Sequence, residues 1–142
     1  MAKNILLSAL AGALWGLIAM AVNGVTNAFP FESGLLHNLV AFTFSGAVMG
    51  AVAGGFLGLA GARLPFKSTL PKAVLVSTIF WLFLRVAGAA LSRMDSERYH
   101  AVTLQTMQGL VLAVVLGCIL GLLWSRGSQA ASGQIPQRTG FF

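Results

Sequence analysis

The chain has 142 residues, of which 57% are apolar and only 8% charged, and its mean hydropathy is +0.85. Soluble domains carry roughly 25% charged residues, so a water-soluble globular domain is excluded and the composition predicts an all-α integral membrane protein. The net charge of +6 comes from basic residues spread among short segments and not gathered on one surface, which argues against nucleic acid as a partner.

Charge-free intervals run over 4–31, 33–62, 73–84 and 99–125, and the third continues past Arg85 to Ser92. A membrane span needs about 20 residues, so the intervals predict four transmembrane helices over roughly 4–23, 36–60, 72–92 and 101–124. The first apolar run follows Lys3 and exceeds the usual signal-peptide core of about 7–15 residues; it reads as a retained helix. The segment after it holds Phe29, Pro30 and Phe31, aromatics beside a turn-forming proline that suit the headgroup zone.

The second span contains Gly46, Gly50, Gly54 and Gly58, one glycine at every fourth position. On a helix this spacing places all four in one row, along which a neighbouring backbone can approach closely. The loop that follows carries Pro65, Pro71 and the cations Arg63, Lys67 and Lys72, which suit an anionic lipid surface.

The third span carries Arg85, about 21 Å above Pro71 and roughly 10 Å below the outer helix end at 1.5 Å per residue. A central arginine costs about 2.5–3.5 kcal/mol on insertion scales, so this position asks for a partner. Thr78, Trp81, Arg85, Gly88 and Ser92 form a small and polar stripe expected to face the bundle interior. The fourth span places Gln105 and Gln108 at similar depth and has its own row of small residues, Gly109, Ala113, Gly117 and Gly121.

Residues 37–63 align without a gap on 100–126 and are identical at ten of 27 positions, from His37/His100 through Thr43/Thr106, Gly46/Gly109, Gly54/Gly117 and Gly58/Gly121 to Arg63/Arg126. The terminal His and Arg pairs are not explained by hydrophobicity. The pattern predicts a duplicated two-helix hairpin, 1–63 and 64–126, followed by a flexible cytoplasmic tail over 127–142. Two helices return the chain to the same side, so the repeats are parallel; the glycine rows of the second and fourth spans are expected to face each other near the pseudo-two-fold axis. With Lys3, Arg63, Lys67, Lys72, Arg126 and Arg138 on one side and Arg93 and Arg98 with all three acids, Glu32, Asp95 and Glu97, on the other, the positive-inside rule predicts both termini in the cytoplasm, in an arrangement suited to the bacterial inner membrane.

Three functional readings follow. A polar pocket in the outer half, built from Arg85, Gln105, Gln108, Thr43 and Ser45, would accept an anion, a lipid headgroup or a partner's carboxylate. His37 and His100, at equivalent outer helix ends, would be the only means of holding a metal or a tetrapyrrole; two histidines alone do not specify one, and no cofactor is expected. Cys118, alone in mid-span, supplies neither an intramolecular disulfide nor a cysteine metal site. No nucleophile with a base and an orienting acid, no phosphate loop and no intramembrane carboxylate pair is present, so an enzyme is not expected. The sequence reads best as a structural or accessory subunit of a larger membrane complex, with lipids and other subunits or further copies of itself as partners. The alternative is a small oligomeric transporter or channel with its anion or headgroup site at Arg85.

Overall fold

The computed structural model describes residues 2–28, 34–92 and 104–132, and these form four helices: α1 (Ala2–Thr26), α2 (Leu35–Ala60), α3 (Thr69–Ser92) and α4 (Leu104–Ser132). Each contains a stretch long and apolar enough to cross a membrane. The four predicted spans are found: α1 is longer at both ends, α2 and α3 begin earlier and end where expected, and α4 is described from Leu104, since 101–103 lie outside the described residues. The largest difference is at α4, which passes Arg126 and takes in 127–132, residues expected to belong to the flexible tail. Residues 133–142 lie outside the described residues.

Local chemistry marks several of the ends. Asn27 adopts φ 49°, and its N–H donates to the Asn23 carbonyl at 2.8 Å, closing the last turn of α1. Asparagine is among the few residues besides glycine that visit this left-handed region readily, which makes it an effective stop. At the end of α2 the Gly61 N–H donates to Leu57 O and the Arg63 N–H to Ala60 O, tightening the exit into the loop. Pro71 falls in the first turn of α3, where its missing N–H removes no helical bond.

The helices form an antiparallel ring in which α1 packs on α2 and α4, and α3 packs on α4 and, much more loosely, on α2. The pairs α1–α2 and α3–α4 are the intimate ones. α2 and α4 touch only slightly across the ring, and α1 and α3 do not meet among the described residues. The apolar core lies towards the α2–α3 loop and is built from Ala11, Ala53, Leu57, Ala73, Val76, Leu116 and Leu120, with Trp15 and Trp124 packed against it.

This order corrects the expected meeting of the two glycine rows. Gly46 and Gly50 pack on Gly12 and Gly16 of α1: a Cβ added at Gly12 would lie 2.7 Å from the Gly50 Cα, and one added at Gly46 would lie 2.9 Å from the Gly16 Cα. Gly54 abuts the Ser8 side chain. The α4 row turns instead to α3, with Gly109 against the Trp81 indole, Gly117 against Val74 and Ser77, and Gly121 against Leu70 and Ala73. Ala113, in the same row, is buried. Gly46, Gly50 and Gly54 of the first row and Gly109, Gly117 and Gly121 of the second therefore close seams inside their own hairpins, while Gly58 meets only Trp124 of α4. The reason is connectivity: short links make consecutive antiparallel helices neighbours, and those neighbours reach the smooth strips first. Across the ring, α2 meets α4 only through larger side chains, Leu120 opposite Gly54 and Trp124 opposite Gly58.

Candidate functional site

Polar side chains concentrate in the half of the bundle away from the α2–α3 loop. The end of α1 supplies Asn23 and Thr26, the start of α2 supplies Asn38, α3 supplies Arg85, and the start of α4 supplies Gln105, Thr106 and Gln108. Asn23, Asn38 and Gln108 are buried, and Asn23 is completely enclosed.

Asn38 Nδ2 donates to the Gly34 carbonyl at the start of its own helix at 3.3 Å, while other bonds of the group join helix to helix. The Thr26 hydroxyl donates to Gln108 Oε1 at 2.7 Å, and Gln105 Nε2 donates to the Ala28 carbonyl at 2.6 Å. The Ala28 N–H in turn donates to Thr26 Oγ1 at 3.4 Å, so the left-handed turn at Asn27 presents both acceptor and hydroxyl to α4. On the other flank of α4, Arg85 Nη2 donates to Thr106 Oγ1 at 2.6 Å. The start of α4 is thereby tied to α1 by its glutamines and to α3 by its threonine.

The expected pocket of Arg85, Gln105, Gln108, Thr43 and Ser45 is not assembled as one group. The two glutamines are turned to the end of α1 and Arg85 to Thr106. Thr43 donates to the Leu39 carbonyl of its own helix at 2.7 Å, a common use of threonine in an apolar helix, and Ser45 is exposed on α2. Asp95 and Glu97, the acids closest in sequence to Arg85, lie outside the described residues, as do His100, Glu32 and the Phe29-Pro30-Phe31 segment. His37 is exposed at the start of α2, so the suggested histidine pair has only one described member.

Further ties cross between the hairpins lower down. Trp15 Nε1 donates to the Leu112 carbonyl at 2.6 Å, and Trp124 Nε1 donates to Ser8 Oγ at 2.9 Å while the Ser8 hydroxyl donates to Asn4 O at 2.7 Å. An indole N–H inside an apolar bundle needs an acceptor, and each of these finds one on a different helix. Among the described residues no buried side-chain nitrogen or oxygen lacks a hydrogen-bond partner.

Sequence reasoning missed Gly12, Gly16, Asn23 and Thr26. The first two had a signal: Ser8, Gly12 and Gly16 recur every four residues, the same period as the row in the second span. Asn23 and Thr26 stand near the end of an apolar run, where a polar residue reads equally well as the start of the loop.

Two clefts accompany these seams. One of about 220 Å³ lies among Asn4, Gly54, Gly58 and Trp124, beside the Ser8 contact. A larger furrow of about 400 Å³ with a wholly apolar wall runs between α2 and α3. Neither is lined by Arg85, Gln105 or Gln108. Comparison with protein-family models, with curated proteins and with solved structures finds no match.

Proposed function

We propose that the chain is a non-catalytic integral membrane protein that serves as a structural or accessory subunit of a larger membrane complex. The observation that carries this reading is the fate of the buried polar groups. Among the described residues none is left without a partner: Gln108 and Ser8 are bonded across helices, Asn38 and Ser77 bond to backbone of their own helices, and backbones in glycine contact close both hairpin seams. A transport route needs polar atoms held towards water; here hydroxyls, amides and indoles stitch the bundle shut. Exposed Phe44, Leu82, Phe83 and Val86 supply apolar faces for lipid or for neighbouring subunits.

In this reading the subunit arose by duplication of a two-helix hairpin and keeps parallel repeats with both termini on the cytoplasmic side of a bacterial inner membrane. Support for the duplication comes from Gly54 and Gly117, which are separated by the same interval as His37 and His100. Each abuts a serine side chain on the preceding helix, Ser8 and Ser77 respectively. Support for the orientation comes from Arg63, Lys67, Lys72 and Arg126 gathering at one end of the ring.

A second reading, a small oligomeric transporter or channel with an anion or headgroup site at Arg85, draws on that guanidinium lying within a span and bonded to a neutral threonine. Gentle detergent extraction followed by native electrophoresis separates the two. We expect co-migration with unrelated larger subunits and no ion flux from the pure protein in liposomes. Arg85→Leu should insert normally and weaken that assembly. A discrete homo-oligomer that conducts, with flux lost in Arg85→Leu, would overturn the subunit reading in favour of the second.

A further inference from the structure

Glycine contacts or hydrogen bonds close the α1–α2, α3–α4 and α1–α4 seams, whereas α2 and α3 pack together much more loosely. There the helices meet through aromatic rings, Phe56 and Phe80, whose centroids stand 5.7 Å apart at a 40° tilt. Bulky rings hold the two backbones apart and leave the apolar furrow, walled by Phe56, Ala60 and Leu64 on one side and by Ile79, Phe80 and Phe83 on the other. Ile79 and Phe83 are more than half exposed and Phe56 half exposed, so the furrow opens sideways from the bundle, where a bilayer would supply hydrocarbon.

The furrow runs to the α2–α3 loop, and the chemistry changes there. Arg63 and Lys67 are exposed just beyond its end and Lys72 is half-buried in the first turn of α3. Lysine in a first helical turn sits beside the positive end of the helix dipole, an arrangement that an anion relieves. No described residue is an acid. Glu32, Asp95 and Glu97 lie outside the described residues. A phospholipid phosphate would supply the neutralising charge.

We infer that the α2–α3 seam is a binding site for one anionic phospholipid, with an acyl chain in the furrow and its phosphate between Arg63, Lys67 and Lys72. The furrow, of about 400 Å³ with a wholly apolar wall, would seat part of an acyl chain, and the three cations would select a negative headgroup over a zwitterionic one. Each basic side chain near an anionic surface contributes roughly fivefold in affinity, and salt reduces this.

The test uses the purified full-length protein in detergent, supplied with equal amounts of dioleoyl phosphatidylglycerol and dioleoyl phosphatidylcholine, with retained lipid read by native mass spectrometry. We expect about a tenfold or greater preference for the glycerol lipid. The triple variant Arg63→Gln, Lys67→Gln, Lys72→Gln should reduce this preference below about twofold, while the charge-conserving Lys67→Arg, Lys72→Arg variant keeps it. Ile79→Trp, which fills the furrow from an exposed position, should lower retention of both lipids; a monodisperse elution profile checks that each variant is folded. An unchanged preference in the triple glutamine variant overturns the headgroup site. Full retention of lipid by Ile79→Trp overturns the furrow as the chain's seat. A tightly held protein helix cross-linked at position 83, with lipid excluded, overturns lipid as the occupant.

Discussion

Gly50 and Gly55 lie on the same helix and should respond to a methyl group in opposite ways. A Cβ at Gly50 would sit 2.6 Å from the Gly12 Cα, against backbone that can yield only by moving the whole of α1. A Cβ at Gly55 would meet nothing within 4 Å. Gly50→Ala should therefore destabilise the folded protein by about 1–3 kcal/mol, the usual range for overpacking. Gly55→Ala should be neutral or stabilise it by up to about 1 kcal/mol through its backbone preference. Unfolding by titration with sodium dodecyl sulfate in mixed micelles measures both, and equal destabilisation would contradict the packing described for α1 and α2. Both glycines were visible in the sequence as small residues of the second span. Only Gly50 belongs to the four-residue row, and that period was a sound guide to which of them a neighbour needs.

Between elements, the ring is held by seams of two kinds. Within each hairpin, glycine and alanine permit backbone contact, so dispersion acts over many close atom pairs. Between hairpins, α1 and α4 are joined by Trp15 to Leu112, Thr26 to Gln108 and Trp124 to Ser8. Interhelical hydrogen bonds of this sort contribute about 0.6 kcal/mol each in membranes, with larger values up to about 1.7 kcal/mol. The hairpins should accordingly behave as separable units. Two fragments divided between Lys67 and Ser68 and produced together should co-purify from detergent. The combination Trp15→Phe, Thr26→Val and Trp124→Phe should reduce the recovery of the complex several-fold, while each fragment still inserts. Failure of the intact fragments to associate would mean that the loop, and not the α1–α4 seam, keeps the hairpins together.

At the scale of the molecule, polarity is divided along the bundle. One half contains the amides Asn23, Asn38, Gln105 and Gln108 with Arg85; the other contains the apolar core, with the buried hydroxyls of Ser8 and Ser77 beside it, and beyond it the cations of the α2–α3 loop. If the positive-inside rule sets the insertion, a cysteine introduced at Lys67 in a Cys118→Ala background should react with an impermeant maleimide only from the cytoplasmic face. Labelling from the opposite face in intact cells would reverse the proposed orientation. The same division explains how the furrow and the polar layer can differ in character on so short a chain: they stand at opposite ends of the helices and share few side chains.

The number of helices, their approximate limits and their suitability for a bilayer were legible in the sequence, because hydropathy is a property of each residue and adds along the chain. The row of Gly46, Gly50, Gly54 and Gly58 was equally legible as a contact strip, since the helical period alone aligns it. Which helix would press on that strip was decided only by tertiary structure. In helices that are apolar on nearly every face, one side is not driven inward more strongly than another, so their order and rotation follow from close packing and from a few polar bonds. The same dependence scattered the expected pocket. Gln105 and Gln108 were seen as polar groups in the first turns of the fourth span, where the structure has them. Their engagement with Ala28 and Thr26 required the end of α1 to be turned at Asn27 and set against α4, a geometry that no spacing within the fourth span encodes.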